Sequence, residues 1–183
     1  MSAFVALLRG INVGGKNIIK MADLQAAFEK NGYTNVKTYI QSGNVIFTST
    51  EKNTAKLEKD IEQFLSKTFN YQSTVLVRSA QQMKNLIASA PTNWARKNDL
   101  RKYVAFIKEP PSAGDAAKEI ELKEGVDSLA IGPGALYLST PLSGIMKSKI
   151  SKLITKKIYQ RMTLRNYNTT QKLAELLQGG TQP

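Results

Sequence analysis

The chain alternates between short apolar runs and longer stretches with helical spacing. Phe4, Val5, Ala6, Leu7 and Leu8 are apolar without alternation, which predicts a strand buried on both faces. Met21, Leu24 and Phe28 recur at helical spacing, and Gly32 stands where a helix C-terminus would be capped. Residues 36–40 and 45–48 are β-rich runs. The stretch Gln41-Ser42-Gly43-Asn44 joins them and predicts a tight hairpin, with Ser-Gly at the positive-φ positions. Leu57, Ile61, Phe64 and Leu65 predict a second helix, and residues 74–78 a fourth strand. The order is βαββαβ. A further helix follows, carrying Met83, Leu86 and Ile87 and opened by the capping box Ser79-x-x-Gln82.

The same order starts again in the second half. Tyr103-Val104-Ala105-Phe106-Ile107 matches Phe4 to Leu8 type for type, Gly134-Ala135-Leu136-Tyr137-Leu138 matches Gly43 to Phe47, and Leu164-Arg165 matches Val77-Arg78. Leu173, Leu176 and Leu177 then repeat Met83, Leu86 and Ile87, with Asn168 placed to cap that helix. Matching order with offsets that drift only by loop length predicts a duplicated unit. The expected fold is α+β: two ferredoxin-like βαββαβ repeats, each followed by an extra helix. The first repeat should span 1–90, a linker 91–101 and the second repeat 102–183, since Pro91, Asn93, Asn98 and Asp99 break any periodicity. Trp94 falls in that linker and is expected to plug the seam between the halves.

Composition narrows the chemistry. Of 183 residues, 42% are hydrophobic and 22% charged, as in a globular chain. The net charge of +12 favours anionic partners, although a lysine-rich surface also arises from solubility alone. With neither Cys nor His, thiolate catalysis, imidazole bases and the usual zinc ligands are excluded, so no metal or cofactor is expected. The N-terminal apolar run is too short for a signal sequence or a membrane span, which makes the cytoplasm the expected location and leaves no membrane partner.

The candidate site is the loop after the first strand, Arg9-Gly10-Ile11-Asn12-Val13-Gly14-Gly15-Lys16-Asn17. The second half has Lys108-Glu109-Pro110-Pro111-Ser112 at this point, so the fold can make the connection without such a loop. In a ferredoxin-like sheet the first and third strands are neighbours, which places Arg9 beside Asn44 with Gln41 and Ser42 above. Arg9, Asn12, Gly14, Gly15, Lys16, Gln41, Ser42 and Asn44 would gather charge and amide donors suited to a small anionic, phosphate-bearing ligand. Arg165 and Asn166 would join only if the second half packs inverted against the first. The bland alternatives are a plain hairpin turn and a tight strand-to-helix crossover.

Gly10-x-x-x-x-Gly15-Lys16 fits the start of a P-loop, but Asn17 stands where magnesium needs Ser or Thr. Ser42 has no histidine to activate it, and the carboxylates are too scattered for paired acid–base work. Binding is expected, or a transfer reaction driven by electrostatic stabilisation. A second class of function comes from residues 128–174, which hold eight basic residues and no acid. Ile150, Leu153, Ile154 and Ile158 predict one apolar face of a helix over 147–161. Lys149, Lys152 and Lys156 share the other face, as a nucleic-acid footprint or a solvated surface.

Three segments, 8–16, 39–45 and Thr163-Leu164-Arg165-Asn166-Tyr167-Asn168-Thr169, resemble the bacterial family catalogued as domain of unknown function 1697. The third motif usually carries Trp where this chain has Tyr167. The resemblance implies a cytoplasmic α+β protein and no settled activity. It directs attention to Arg9, Asn12, Gly14, Gln41, Ser42, Asn44, Arg165 and Asn166.

Overall fold

A computed structural model describes residues 1–15 and 17–179 of the chain. Two four-stranded antiparallel sheets form. The first contains β1 (Ser2–Arg9), β2 (Thr34–Tyr39), β3 (Asn44–Ser49) and β4 (Thr74–Ser79) in the order β2-β3-β1-β4. Helices α1 (Met21–Lys30) and α2 (Thr54–Phe69) connect them, and α3 (Ala80–Ala88) follows β4. The second sheet repeats the order as β6-β7-β5-β8, with β5 (Leu100–Ile107), β6 (Ser128–Gly132), β7 (Ala135–Pro141) and β8 (Met162–Asn166). It carries a short α4 (Ala113–Lys118), and α5 (Tyr167–Gly179) follows β8. The architecture is α+β, with two βαββαβ-like layers and a closing helix after each.

The chain divides into two compact units, 1–83 with 172–179, and 84–171, so the divisions fall inside α3 and α5. In the first unit, Phe4, Ala6 and Leu8 of β1 face the helices and share a core with Leu24, Phe28, Phe47, Leu57 and Ile61. Aromatic rings fill its centre: Phe28 meets Phe64 edge-on at 5.2 Å, and Tyr33 meets Phe47 at 4.8 Å. The opposite face of β1 is equally dry, with Val5 and Leu7 fully buried, as a strand apolar on both sides requires. At the sheet edge, β4 would expose backbone donors. Glu62 and Glu58, one turn apart on α2, accept from the N–H groups of Val75 and Val77 at 2.8 and 2.9 Å.

Helix ends follow the sequence closely. Ser79 N donates to Gln82 Oε1 at 2.8 Å and Gln82 N to Ser79 Oγ at 3.2 Å, the reciprocal pair of a capping box. Helix α1 closes with Gly32 N bonded to Glu29 O and Tyr33 N to Phe28 O, a Schellman pattern. Asn168 is a correction. Helix α5 already begins at Tyr167, so Asn168 lies inside its first turn and the cap position falls to Asn166.

The larger correction concerns 147–161, which is not one amphipathic helix. It is broken into 3-10 turns at Leu142–Lys147, Ile150–Thr155 and Lys157–Arg161, with Ser148 and Lys156 extended between them. Ile150, Leu153 and Ile158 are buried, whereas Ile154 is 65% exposed. Branched Ile150, Ile154, Thr155 and Ile158 disfavour an α-helix, and an outside carboxylate competes for the backbone. That carboxylate is Asp127. Its Oδ1 accepts from Thr140 and Ser148 hydroxyls, each at 2.6 Å, and its Oδ2 from the N–H groups of Lys149 at 2.8 Å and Lys123 at 3.0 Å.

Burial pushes the Asp127 pKa up, but hydrogen bonds from Ser148, Thr140 and the two backbone amides outweigh it and hold the pKa below the ordinary Asp value. The stability this provides is present above the unfolded pKa, about 4, and is lost as pH falls through the lower folded pKa. Asp127→Asn is expected to cost about 1–3 kcal/mol at neutral pH, because an amide turns donors toward groups that need an acceptor. Urea unfolding of both proteins across pH should show this gap closing in the acid window. A gap that does not change with pH would mean that the carboxylate charge does not hold this segment.

Candidate functional site

The loop between β1 and α1 and the turn between β2 and β3 meet at one end of the first sheet. The meeting is set by backbone contacts. Leu8 N donates to Gly43 O at 2.8 Å, and Gly43 lies at φ +74 with its α-carbon pressed against the loop. A Cβ there would stand 2.9 Å from Ile11 Cδ1 and from Leu8 Cβ. Ile11 is 1% exposed, so it anchors an otherwise open loop in the core.

Asn12 does the rest. It sits at φ 54, a left-handed conformation that Asn tolerates better than most residues. Its side-chain amide donates to Ile19 O and to Gln41 O, both at 3.0 Å, and its Oδ1 accepts from Ile19 N at 2.8 Å. One carboxamide thus closes the loop on itself and ties it to the hairpin. Asn17 adds a second closure, donating from Nδ2 to Gly10 O at 2.9 Å.

The hairpin differs from the expected tight turn. Tyr39 pairs with Asn44, leaving Ile40 to Gly43 as the loop, and the positive φ values fall at Ile40 and Gly43 rather than at Ser42. Asn44 explains the geometry. It is fully buried, and its amide donates to Tyr39 O and Ser42 Oγ, each at 3.0 Å. Asn44 therefore stabilises the hairpin from beneath. It pairs with Leu7, not with Arg9, whose partner across the sheet is Thr74 on β4.

A cavity of about 360 Å³ opens beside this junction, lined by Asn12, Gly15, Ile18, Ile19, Lys20, Met21 and Gln41. The loop and hairpin expected to form a site thus contribute Asn12, Gly15 and Gln41 to one space. Arg9, Gly14, Ser42 and Asn44 do not line it, and Lys16 lies outside the described residues. Sequence reading missed Lys20 and Met21. The signal was available: Lys20 occupies the N-cap of α1, where no side chain caps the helix.

Arg165 and Asn166 belong to the second unit. Arg165 is buried, and its Nη1 donates to Thr163 Oγ1 at 2.8 Å and Leu164 O at 2.9 Å. Burial pulls its pKa down to about 10, so it stays charged at neutral pH. It faces Val104 in the second sheet as Arg78 faces Val5 in the first, and Arg78 likewise donates to the carbonyl one residue earlier, at 2.8 Å. Asn166 is exposed at the end of β8. Among the basic residues proposed for nucleic acid, Lys149 and Lys156 both pair with Glu121, Lys156 at 3.6 Å. The run without acids in sequence is therefore not without them in space.

Two glycines separate packing from conformation. Gly15 has φ +73, and a Cβ added there would meet nothing within 4 Å, whereas Gly43 combines positive φ with the close contacts above. Gly15→Ala should cost about 1–2 kcal/mol of backbone strain. Gly43→Ala should cost about 1–3 kcal/mol more, because a methyl must displace Leu8 and Ile11. Denaturant unfolding measures both, and equal losses would mean that the hairpin is not wedged against the loop.

A family model described as a protein of unknown function, DUF1697, matches residues 1–137. This range includes the loop and the hairpin and ends before the third motif, at 163–169. No curated protein matches. Among solved structures, a conserved bacterial protein from Streptococcus pneumoniae is similar at 28% identity, covering 96% of this chain and 98% of its own, with a TM-score of 0.84. With the match running from Met1 into β7 and the fold shared along nearly the whole length, the chain belongs to the DUF1697 family.

Proposed function

We propose that the cavity at the head of α1 binds a small phosphate-bearing anion. The observation that carries this is the N-terminus of α1. Lys20 stands at its N-cap with no side-chain hydrogen bond to the first turn, and Lys20 and Met21 line the cavity. The first turn of a helix presents unsatisfied N–H donors and the positive end of the helix dipole, which favours an anion. The exposed Lys20 adds a full charge at the rim, and Gln41 supplies a further polar group. Ile18 and Ile19 give one apolar wall, suited to the non-phosphate part of a metabolite.

Asn12 is a positioning residue in this reading, since both of its amide donors are used within the loop and hairpin. Arg9 ends β1 at the root of the loop and adds positive potential from behind. The nucleic-acid alternative has less support, because Lys149 and Lys156 share the Glu121 carboxylate and the helix expected to array them is replaced by 3-10 turns.

The test is a thermal-shift panel of inorganic phosphate, sugar phosphates, nucleotides and a duplex oligonucleotide. A ligand at about a hundred times its dissociation constant stabilises by about 2.7 kcal/mol, a rise of a few degrees for a chain this size. At least one small phosphate compound should give that rise, and Lys20→Glu should abolish it without lowering the unliganded Tm. Arg9→Ala should also abolish it. If Arg9→Ala instead unfolds the free protein, the arginine is a structural clamp. A panel in which only the oligonucleotide shifts the protein would overturn the small-anion site.

A further inference from the structure

The two repeats differ in how they cover one face of the sheet. In the first unit Phe4 and Val77 are buried in one core with Leu57 and Ile61 of α2. Their counterparts in the second unit are Tyr103 and Leu164, at the same places in the strand pairing: Ala105 faces Leu164 as Ala6 faces Val77. Both are only partly buried, and broken 3-10 turns stand in place of α2. A cavity of about 180 Å³ opens here. Tyr103, Ile145, Ile150, Ile154 and Leu164 form its apolar wall, and Arg101 stands in its lining.

The surface around this recess is apolar and basic. Ile154 is 65% exposed, and the turn that supplies Ile145 also carries Leu142 and Met146, which are 52% and 96% exposed. An exposed apolar patch of this kind marks an interaction surface. Arg101, Lys147 and Lys152 are exposed, and among the described residues none of them makes a salt bridge. Against them stand two carboxylates. Asp127 lies behind the lining residues Thr140 and Ser148, whose hydroxyls donate to it, and Asp99 accepts from Leu142 N through its carbonyl. Cations remain in excess, as they do throughout residues 128–174, which hold eight basic residues and no acid.

The cavity is smaller than the roughly 300–1,000 Å³ of small-molecule sites, and its size suits one inserted side chain. Helix α2 shows what covers the matching position in the first unit: an amphipathic helix with Leu57, Ile61 and Leu65 buried along one stripe and Glu58, Asp60 and Glu62 between them. We propose that this face of the second unit docks an acidic amphipathic helix of another protein. The helix seats one apolar side chain among Tyr103, Ile154 and Leu164, and its carboxylates lie against Arg101, Lys147 and Lys152. A basic segment would meet like charge there, and a flat bilayer offers no side chain to fill the recess.

The probe is a fluorescent synthetic peptide with the sequence of residues 54–69, carrying Lys56→Glu, Lys59→Glu and Lys67→Glu. Two controls accompany it: the unaltered sequence, whose three lysines balance its three acids, and the acidic peptide with Leu57→Ser, Ile61→Ser and Leu65→Ser. Anisotropy titration with the whole chain should show saturable binding of the acidic peptide, at least about tenfold tighter than either control. In the 15N-labelled protein the amide shifts should centre on Tyr103, Ile145 and Ile154. Arg101→Glu and Ile154→Asp should each weaken the peptide about tenfold, with the Tm within a few degrees of wild type because both side chains are exposed. Lys20→Glu should leave the titration unchanged, which separates this face from the cavity at α1. Controls that bind as tightly, full affinity in both variants, or no saturable binding at millimolar peptide would each overturn the proposal. So would two other results: co-sedimentation with phosphatidylglycerol vesicles in the absence of peptide binding, which assigns the patch to a membrane, and self-association that Ile154→Asp abolishes, which assigns it to a second copy of the chain.

Discussion

The candidate site depends on a missing side chain. Gly43 lets the β2–β3 hairpin lie directly on the root of the β1–α1 loop, with Leu8 N bonded to its carbonyl and Ile11 filling the space beside its α-carbon. With Ile11 seated in the core, only the outer part of the loop is open to solvent. Asn12 then holds that open part by copying a backbone partner for Ile19 and reaching across to Gln41. The loop is thus pre-formed by contacts at its base. A pre-formed loop avoids the entropy of ordering on binding.

The two sheets share strand order and register but solve the same problem differently. In the first unit a long α2 covers the β4 edge with Glu58 and Glu62. In the second unit 3-10 turns stand where that helix would be, and Asp127 holds them through Ser148 Oγ and Lys149 N. Those turns are short enough to leave Ile154 and Met146 exposed, whereas Leu57, Ile61 and Leu65 of α2 are buried along one stripe. The same topology therefore gives one unit with a conventional two-helix layer and another with an irregular cover. It is the irregular unit that encloses the larger cavity.

Much of the fold was legible in the sequence. Strand β1 showed itself through an unbroken apolar run, α1 through its spacing and Gly32, and α3 through a capping box whose two hydrogen bonds are both made. These features are local: period, caps and turn residues act over a few positions, so a chain reading captures them. The pairing of β1 with β3 followed from the element order, and it brought Gln41 to Asn12 and Gly15 around one cavity.

Residue roles within that space were decided only by the tertiary structure. The sequence marked Asn12 and Asn44 as polar groups near a ligand. Three-dimensional packing gives the amide donors of both to backbone or hydroxyl oxygens, because an amide enclosed by a fold must be satisfied there. Asp127 had no mark in the sequence at all, since its four donors come from positions up to 22 residues away. For the same reason Glu121 could not be seen beside Lys149 and Lys156. Local periodicity determined most of the elements, though not the 3-10 turns of 142–161. The partner of each polar side chain depends on atoms distant in the chain, and only the folded packing supplies them.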